Sequence, residues 1–274
     1  MANFIKIISS THTSKYPIKF RYPIKMLFSD IDKTLAHKER AGIEIPTEGK
    51  FISERTIDLM REINNKIPVA IITGRSLTSY KRVSDIIPHS IAMIEHGCLI
   101  LEGKAFDSGW VEIMKPYIGM PDPGNRDGLI WEYDRKLQND GIVTYSKNRM
   151  ASFSIREKNN PGIDLKKLAE QPHPEWIKTT WNQGYLDFIP AIAGKKECVE
   201  YLLNKNKINW QDIGAFGDDL NDLELLRRVR YAFTLTGASE EVIELVKGCG
   251  YVSPFSCHAG TEDVLSNILN NLAS

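Results

Sequence analysis

The sequence predicts an α/β protein: a doubly wound parallel sheet with a smaller α+β module inserted into it. Three observations predict this. Short apolar runs at residues 24–29, 69–72, 91–94 and 213–216 read as buried strands. Stretches with helical spacing of apolar residues separate them, the alternation of a parallel sheet with helices on both faces. That alternation stops after about Ser108 and resumes near Lys195.

The elements follow in order. Residues 1–22 hold several lysines but no long apolar segment with a small-residue cleavage site, so they read as an extension or an extra edge element, not a signal peptide. The first strand, 24–29, ends at an acidic cluster. Ser53 is a helix cap, followed by Ile57, Met60 and Ile63 at helical spacing. The second strand ends at Thr73-Gly74-Arg75, and a helix is expected from there through Ile87, stopped by Pro88. Residues 91–94 form a third strand, and 98–101 with 104–106 a hairpin around Glu102-Gly103. Residues 116–128 hold three prolines and three glycines and read as a loop-rich entry to something new. Residues 151–156, 176–181 and 185–189 are expected as strands, and 164–170 as a helix. Then come a helix from Lys195, a strand to Phe216, a helix over 220–229, a strand over 232–235, and helices over 240–246 and 261–272. The expected divisions are 1–22 (extension), 23–108 with 190–274 (core) and 109–189 (insert).

Composition narrows the partners. The 274 residues carry 35 Lys plus Arg and 35 Asp plus Glu, a formal net charge of zero, which gives no reason to expect nucleic acid or an anionic membrane. No apolar run is long enough to cross a bilayer, so a soluble, cytoplasmic protein is expected. Cys98, Cys198, Cys249 and Cys257 form no CxxC pair and read as reduced thiols.

Four clusters sit where an open parallel sheet places its ligands, beyond the C-terminal ends of strands. In Asp30-Ile31-Asp32-Lys33-Thr34, residues 30 and 32 share a side if the chain stays extended. One carboxylate can attack phosphorus and the other can shuttle the proton. In Thr73-Gly74-Arg75, a hydroxyl and nearby N–H groups can bind phosphate oxygens. Lys195 can offset the charge of a phosphoryl group beside a carboxylate. In Gly217-Asp218-Asp219-Leu220-Asn221-Asp222, clustered oxygens after a strand suit magnesium. Taken singly, each has a plain alternative: an acidic loop, a helix N-terminus, a solvated lysine, an acidic helix cap.

Together and in this order the four resemble the haloacid dehalogenase superfamily, whose pattern is DxDxT, then Thr or Ser after a strand, then Lys, then GDxxND. The resemblance runs from about residue 24 to the C-terminus. Ile71-Ile72-Thr73-Gly74-Arg75, Asp187-Phe188-Ile189-Pro190 before Lys195, and the run Gly217 to Glu224 look like its type-IIB branch, which carries an α/β cap where the composition changes here.

The resemblance implies a magnesium-dependent phosphatase of small phosphorylated metabolites, sugar phosphates or phosphoglycerate derivatives, working through an aspartyl-phosphate. It implies Asp30 as nucleophile, Asp32 as general acid/base, Thr73 on the phosphoryl group and Lys195 as the stabilising cation. Thr34, Gly74, Arg75 and Asn221 are implied for phosphate or substrate, and Asp30, Asp32 (by its backbone carbonyl), Asp218 and Asp222 for Mg2+. Lys33 departs from the family's usual glycine. In the cap, Arg126, Trp131, Tyr133, Arg135, Arg149, Arg156, Lys178, Trp181 and Tyr185 are candidates for substrate contact, and His96 reads as a structural histidine ahead of a substrate contact. A monomer or homodimer is expected. A phosphosugar mutase of the same fold, a phospho-aspartate signalling domain and an inactive binding module stay open as alternatives.

Overall fold

The computed structural model describes residues 23–182 and 184–272. The expected N-terminal extension lies outside these residues.

The central strand β1 (Met26–Ser29) is buried along its whole length. A flap hairpin follows, β2 (Ile43–Ile45) and β3 (Lys50–Ile52). Helix α1 (Glu54–Asn64) starts where Ser53 accepts the Thr56 N–H, as its sequence predicts, and buries Ile57, Met60 and Ile63. Strand β4 (Val69–Ile72), a one-turn α2 (Leu77–Tyr80) and β5 (Ile91–Ile94) continue the alternation. The helix expected through Ile87 shortens to this one turn followed by turns. Strands β6 (Leu99–Glu102) and β7 (Ala105–Phe106) form the expected hairpin.

The inserted module begins with α3 (Ser108–Ile118) and α4 (Leu129–Asn139), which flank the expected loop: residues 119–128 between them are irregular, and only 116–118 are taken into α3. Asp107 caps α3 by accepting the Trp110 N–H, and Pro116 sits inside it near its end, where only one N–H is forfeited. Then come β8 (Thr144–Tyr145), β9 (Phe153–Arg156), α5 (Leu165–Glu170), β10 (Ile177–Asn182) and β11 (Tyr185–Pro190). The four strands make an antiparallel sheet in the order β10-β11-β9-β8. Its packed face carries Phe153 stacked on Phe188, with centroids 4.8 Å apart, and the Tyr133 ring of α4 tilted against both. Burying each such side chain contributes about 1.5–3 kcal/mol.

The chain then returns through α6 (Lys195–Asn206), β12 (Ile213–Phe216), α7 (Leu223–Arg228), β13 (Tyr231–Leu235), α8 (Glu240–Cys249), β14 (Tyr251–Ser253) and α9 (Cys257–Leu272), which packs on α1. Leu220–Asp222 forms a 3-10 turn, so the helix expected from Leu220 starts three residues later.

The main sheet has the order β14-β13-β12-β1-β4-β5-β6-β7, parallel from β14 through β5 and antiparallel beyond. The chain winds outward from β1 through β4 and β5, then returns to β12 on the other flank of β1. The reversal of winding is therefore at β1, and a crevice opens at its carboxyl end. All four cysteines are unbridged. No helix among the described residues is long and apolar enough to cross a membrane.

Candidate active site

Asp30 follows β1, Thr73 follows β4 and Asp218 follows β12, so three adjacent strands deliver their first polar residues to one crevice. The last part arrives from α6, whose first residue is Lys195. Its Nζ lies 2.9 Å from Asp30 Oδ1 and 2.6 Å from Asp222 Oδ1, and it is buried with both. Thr34 donates to Asp218 Oδ1 at 2.8 Å. Gly217 makes room for this arrangement: a Cβ there would lie 2.5 Å from the carboxyl carbon of Asp222, whose Oδ2 accepts the Asp218 and Asp219 N–H groups.

Burial pushes Asp30 up to about 7, with Lys195 pulling it down and Asp222 and Asp32 pushing further up. Burial, with Asp30 and Asp222 nearby, holds Asp218 well above the usual carboxylate range. Lys195 is raised despite burial because it faces Asp222 and Asp30. Three carboxylates with one ammonium leave the cluster short of positive charge.

Carboxylate oxygens of Asp30, Asp218 and Asp222 lie within 4.8 Å of one another. Asn221 Oδ1 is buried without a partner among the described residues. Hard oxygen donors with unbalanced negative charge fit a hard divalent cation such as magnesium.

Asp32 stands apart. Its side chain is not among those three carboxylates. It is held by Arg75, with Nε 2.8 Å from Oδ2 and Nη2 2.7 Å from Oδ1, and by Lys50. Burial would raise it, but the hydrogen bonds and charge of Arg75, with Lys50, hold it below its ordinary value. Arg75 also grips Glu48, so its fork is occupied by two carboxylates. Thr34 is fully buried and supports Asp218, away from the cavity. Lys33 adopts φ +63°, the left-handed conformation for which glycine is the easy choice, and pairs at 3.6 Å with Asp219.

A cavity of about 280 Å³ opens over the site between the main sheet and the insert. Asp30, Asp32, Thr73, Gly74, Arg75 and Asn221 line it from below. A second hollow of about 270 Å³, on the far side of Asn221, is lined by Lys195, His96, Lys178 and Trp181. Of the expected insert residues, Arg149, Arg156 and Tyr185 reach the first cavity, and Lys178 and Trp181 the second. Arg126, Trp131, Tyr133 and Arg135 do not line either hollow. Arg126 stacks 3.8 Å over Trp131, Tyr133 bonds His173, and Arg135 bonds the Arg126 carbonyl.

Sequence reading missed Tyr145 and Lys147, both on the cavity wall, and Glu95. Glu95 and His96 have φ +50° and +59°, two consecutive non-glycine residues in left-handed conformation. Their N–H groups donate to the Arg75 and Thr73 carbonyls. The buried Glu95 carboxylate accepts from Met150 N–H, Ala151 N–H and Ser152 Oγ at 2.7–3.0 Å. His96 Nε2 lies 2.6 Å from Asp187 Oδ2 on β11, so His96 is a structural histidine that also borders the second hollow. This turn ties the loop after β4 to the insert.

Comparison with known proteins agrees with this geometry. Residues 132–254 match the family model of the haloacid dehalogenase-like hydrolases. A kanosamine-6-phosphate phosphatase from Bacillus subtilis is 38% identical over 118 residues, 42% of this chain and 39% of that protein, so the match spans well under half of that relative. A sucrose-phosphatase structure from Synechocystis, solved with sucrose and phosphate, superposes with a TM-score of 0.64 at 14% identity, covering 90% of this chain and 98% of that one. A sugar phosphatase of subclass IIB gives 0.60 at 15% identity over 88% and 98%. Main-sheet topology and motif order are consistent with the family match, which covers residues 132–254, and the solved structures share the fold.

Proposed function

We propose that this protein hydrolyses small phosphate monoesters, with magnesium held by Asp30, Asp218 and Asp222, and that the insert acts as the cap over the site. The observation that carries this is the buried Asp30 with Lys195 at 2.9 Å on the floor of a cavity lined by Thr73 and the Gly74 loop. A sugar phosphate or phosphoglycerate derivative suits the cavity, whose volume is near the lower end for small-molecule sites. The names of the similar proteins point to phosphorylated sugars.

In this reading a carboxylate oxygen of Asp30 attacks phosphorus, the ester oxygen leaves with a proton from Asp32, and an aspartyl-phosphate forms. Asp32 then accepts a proton from the water that attacks that phosphorus, which releases phosphate and restores Asp30. Thr73 and the backbone after it hold the phosphoryl oxygens, and Lys195 offsets their charge. Magnesium supplies further charge neutralisation and alignment. Arg75 and Lys50 favour the base half of this cycle. The acid half needs a protonated Asp32, and a phosphate dianion beside it raises its proton affinity and competes for both cations.

The test is phosphate release from a panel of phosphorylated sugars and phosphoglycerates, with magnesium and with EDTA, for wild type and Asp30→Asn. Magnesium-dependent release by wild type and none by Asp30→Asn is expected. Equal release by Asp30→Asn removes the nucleophile assignment.

A further inference from the structure

The two walls of the cavity differ in how their charges are balanced. On the core wall, Asp30 faces Lys195, and Asp32 faces Arg75 and Lys50. The wall from the insert presents Lys147, Arg149 and Arg156 and no carboxylate. Arg149 is engaged, donating from Nη1 to the Gly74 carbonyl at 2.8 Å and to Ser152 Oγ. Among the described residues, Lys147 has no counter-ion, and Arg156 has neither a counter-ion nor a hydrogen bond to its guanidinium. Arg156 Nε is also buried away from solvent.

Arg156 is built into place. It lies on β9 with Tyr185 as its ladder partner on β11. Its guanidinium is 3.8 Å from the Tyr185 ring centroid and 5.2 Å from that of Tyr145. The Tyr145 hydroxyl is fixed in turn by Asn159 at 2.7 Å. A surface lysine such as Lys147 would by itself be an ordinary solvated charge. A half-buried guanidinium stacked on aromatic rings, with its fork unused, is the arrangement that binds carboxylate or phosphate through paired hydrogen bonds. Leaving a buried donor unmade is costly, so a ligand that satisfies it gains that cost back.

We infer that the insert wall is a second anion subsite: the substrate is a phosphate monoester whose alcohol part carries a further carboxylate or phosphate, received by Arg156 with Lys147 beside it. This rests on the phosphatase reading only for which end of the substrate reacts. A neutral sugar phosphate leaves both cations unbalanced, and a sugar amine meets like charge.

The experiment is calorimetric binding to the wild-type protein in EDTA, so that no turnover intrudes, with ligand pairs that differ in the second anion. The pairs are 3-phosphoglycerate with glycerol 3-phosphate, 6-phosphogluconate with glucose 6-phosphate, and fructose 1,6-bisphosphate with fructose 6-phosphate. Glucosamine 6-phosphate serves as the cationic control. In at least one pair the two-anion member should bind about 10-fold or more tighter, as expected for charge-assisted hydrogen bonds. The glucosamine ester should bind weakest. The first two pairs against the third tell carboxylate from phosphate. Arg156→Gln and the exposed Lys147→Gln should each bring that ratio toward one, whereas a loss of fold would weaken both members alike. A ratio near one in all three pairs, or a ratio untouched by both substitutions, overturns the subsite. Phosphate release with magnesium is scored separately. A retained ratio with no release from any ester sinks the phosphatase reading alone, and release without a ratio sinks the subsite alone.

Discussion

The floor of the cavity and its insert wall are built on opposite electrostatic rules. On the floor, Asp30, Lys195, Asp218 and Asp222 are all buried, and Lys195 is the cation shared by Asp30 and Asp222, so removing it leaves buried carboxylates facing one another in a low-dielectric setting. On the wall, Lys147 is exposed and Arg156 leans on tyrosines, and among the described residues neither has a counter-ion. The difference teaches where variation is tolerated. The floor serves the phosphoryl group, common to every ester, while the wall can be recharged without unfolding anything.

The largest effect should come from breaking the floor. Lys195→Met leaves three buried carboxylates facing one another and should cost about 3–5 kcal/mol of stability by denaturant unfolding. In the proposed mechanism it should also lower kcat by on the order of 10²–10³-fold.

Burial governs His37 in the same manner. Burial, with the neighbouring His258 ring at 4.9 Å, lowers it to about 4. Its Nε2 sits 2.8 Å from the Thr261 hydroxyl, which donates to the Thr34 carbonyl, so Nε2 must be the donor. The unfolded chain takes up the proton near the ordinary histidine value and the folded chain does not until about pH 4. Stability is therefore full above about pH 6.5 and falls between there and about pH 4, by up to about 3 kcal/mol. Unfolding of wild type and His37→Asn across that range checks it, and an equal slope in both would remove His37 as the cause.

A smaller loss is expected at the seam. Glu95→Ala leaves two backbone donors and one hydroxyl unmade and should cost about 1–3 kcal/mol. Because it frees the segment that carries Arg149, it should raise KM for sugar esters more than for p-nitrophenyl phosphate. Equal changes in both would make the seam merely structural. Smallest of all, Lys147→Ala should shift stability by no more than about 0.5 kcal/mol, the sharpest contrast with Lys195. Thermal unfolding of the two variants side by side reads that contrast directly.

Much of the floor was legible in the sequence because it depends on strand ends. Continuous apolar runs marked β1, β4, β5 and β12, and the residues just past them fell where an open sheet collects ligands. Lys195 was legible only through its order among the motifs, since a lysine at a helix start has no local signature. The wall was harder to read. Tyr145 ends, and Lys147 follows, a two-residue strand whose placement is set by pairing with β9, not by its own pattern. The helices α3 and α4 were hidden by the prolines around them, although Asp107 offered a cap and Ile130, Tyr133 and Leu137 recur at helical spacing. Glu95 was missed because its part depends on a backbone turn in a region that side-chain patterns do not report. The flap hairpin carrying Glu48 and Lys50 was missed for being three residues a side.

The pairing of β1 also sets a schedule for how the protein can be made. Leu27 through Ser29 pair on one flank with β4, which is synthesised about forty residues later, and Met26 through Ser29 pair on the other with Ile213–Phe216. One edge of the strand that presents Asp30 thus stays open while the whole insert emerges. The insert, a continuous stretch with its own sheet, can pack before its host is complete. An aggregation-prone interval during translation belongs to the core and not to the insert, and it closes only when β12 leaves the ribosome.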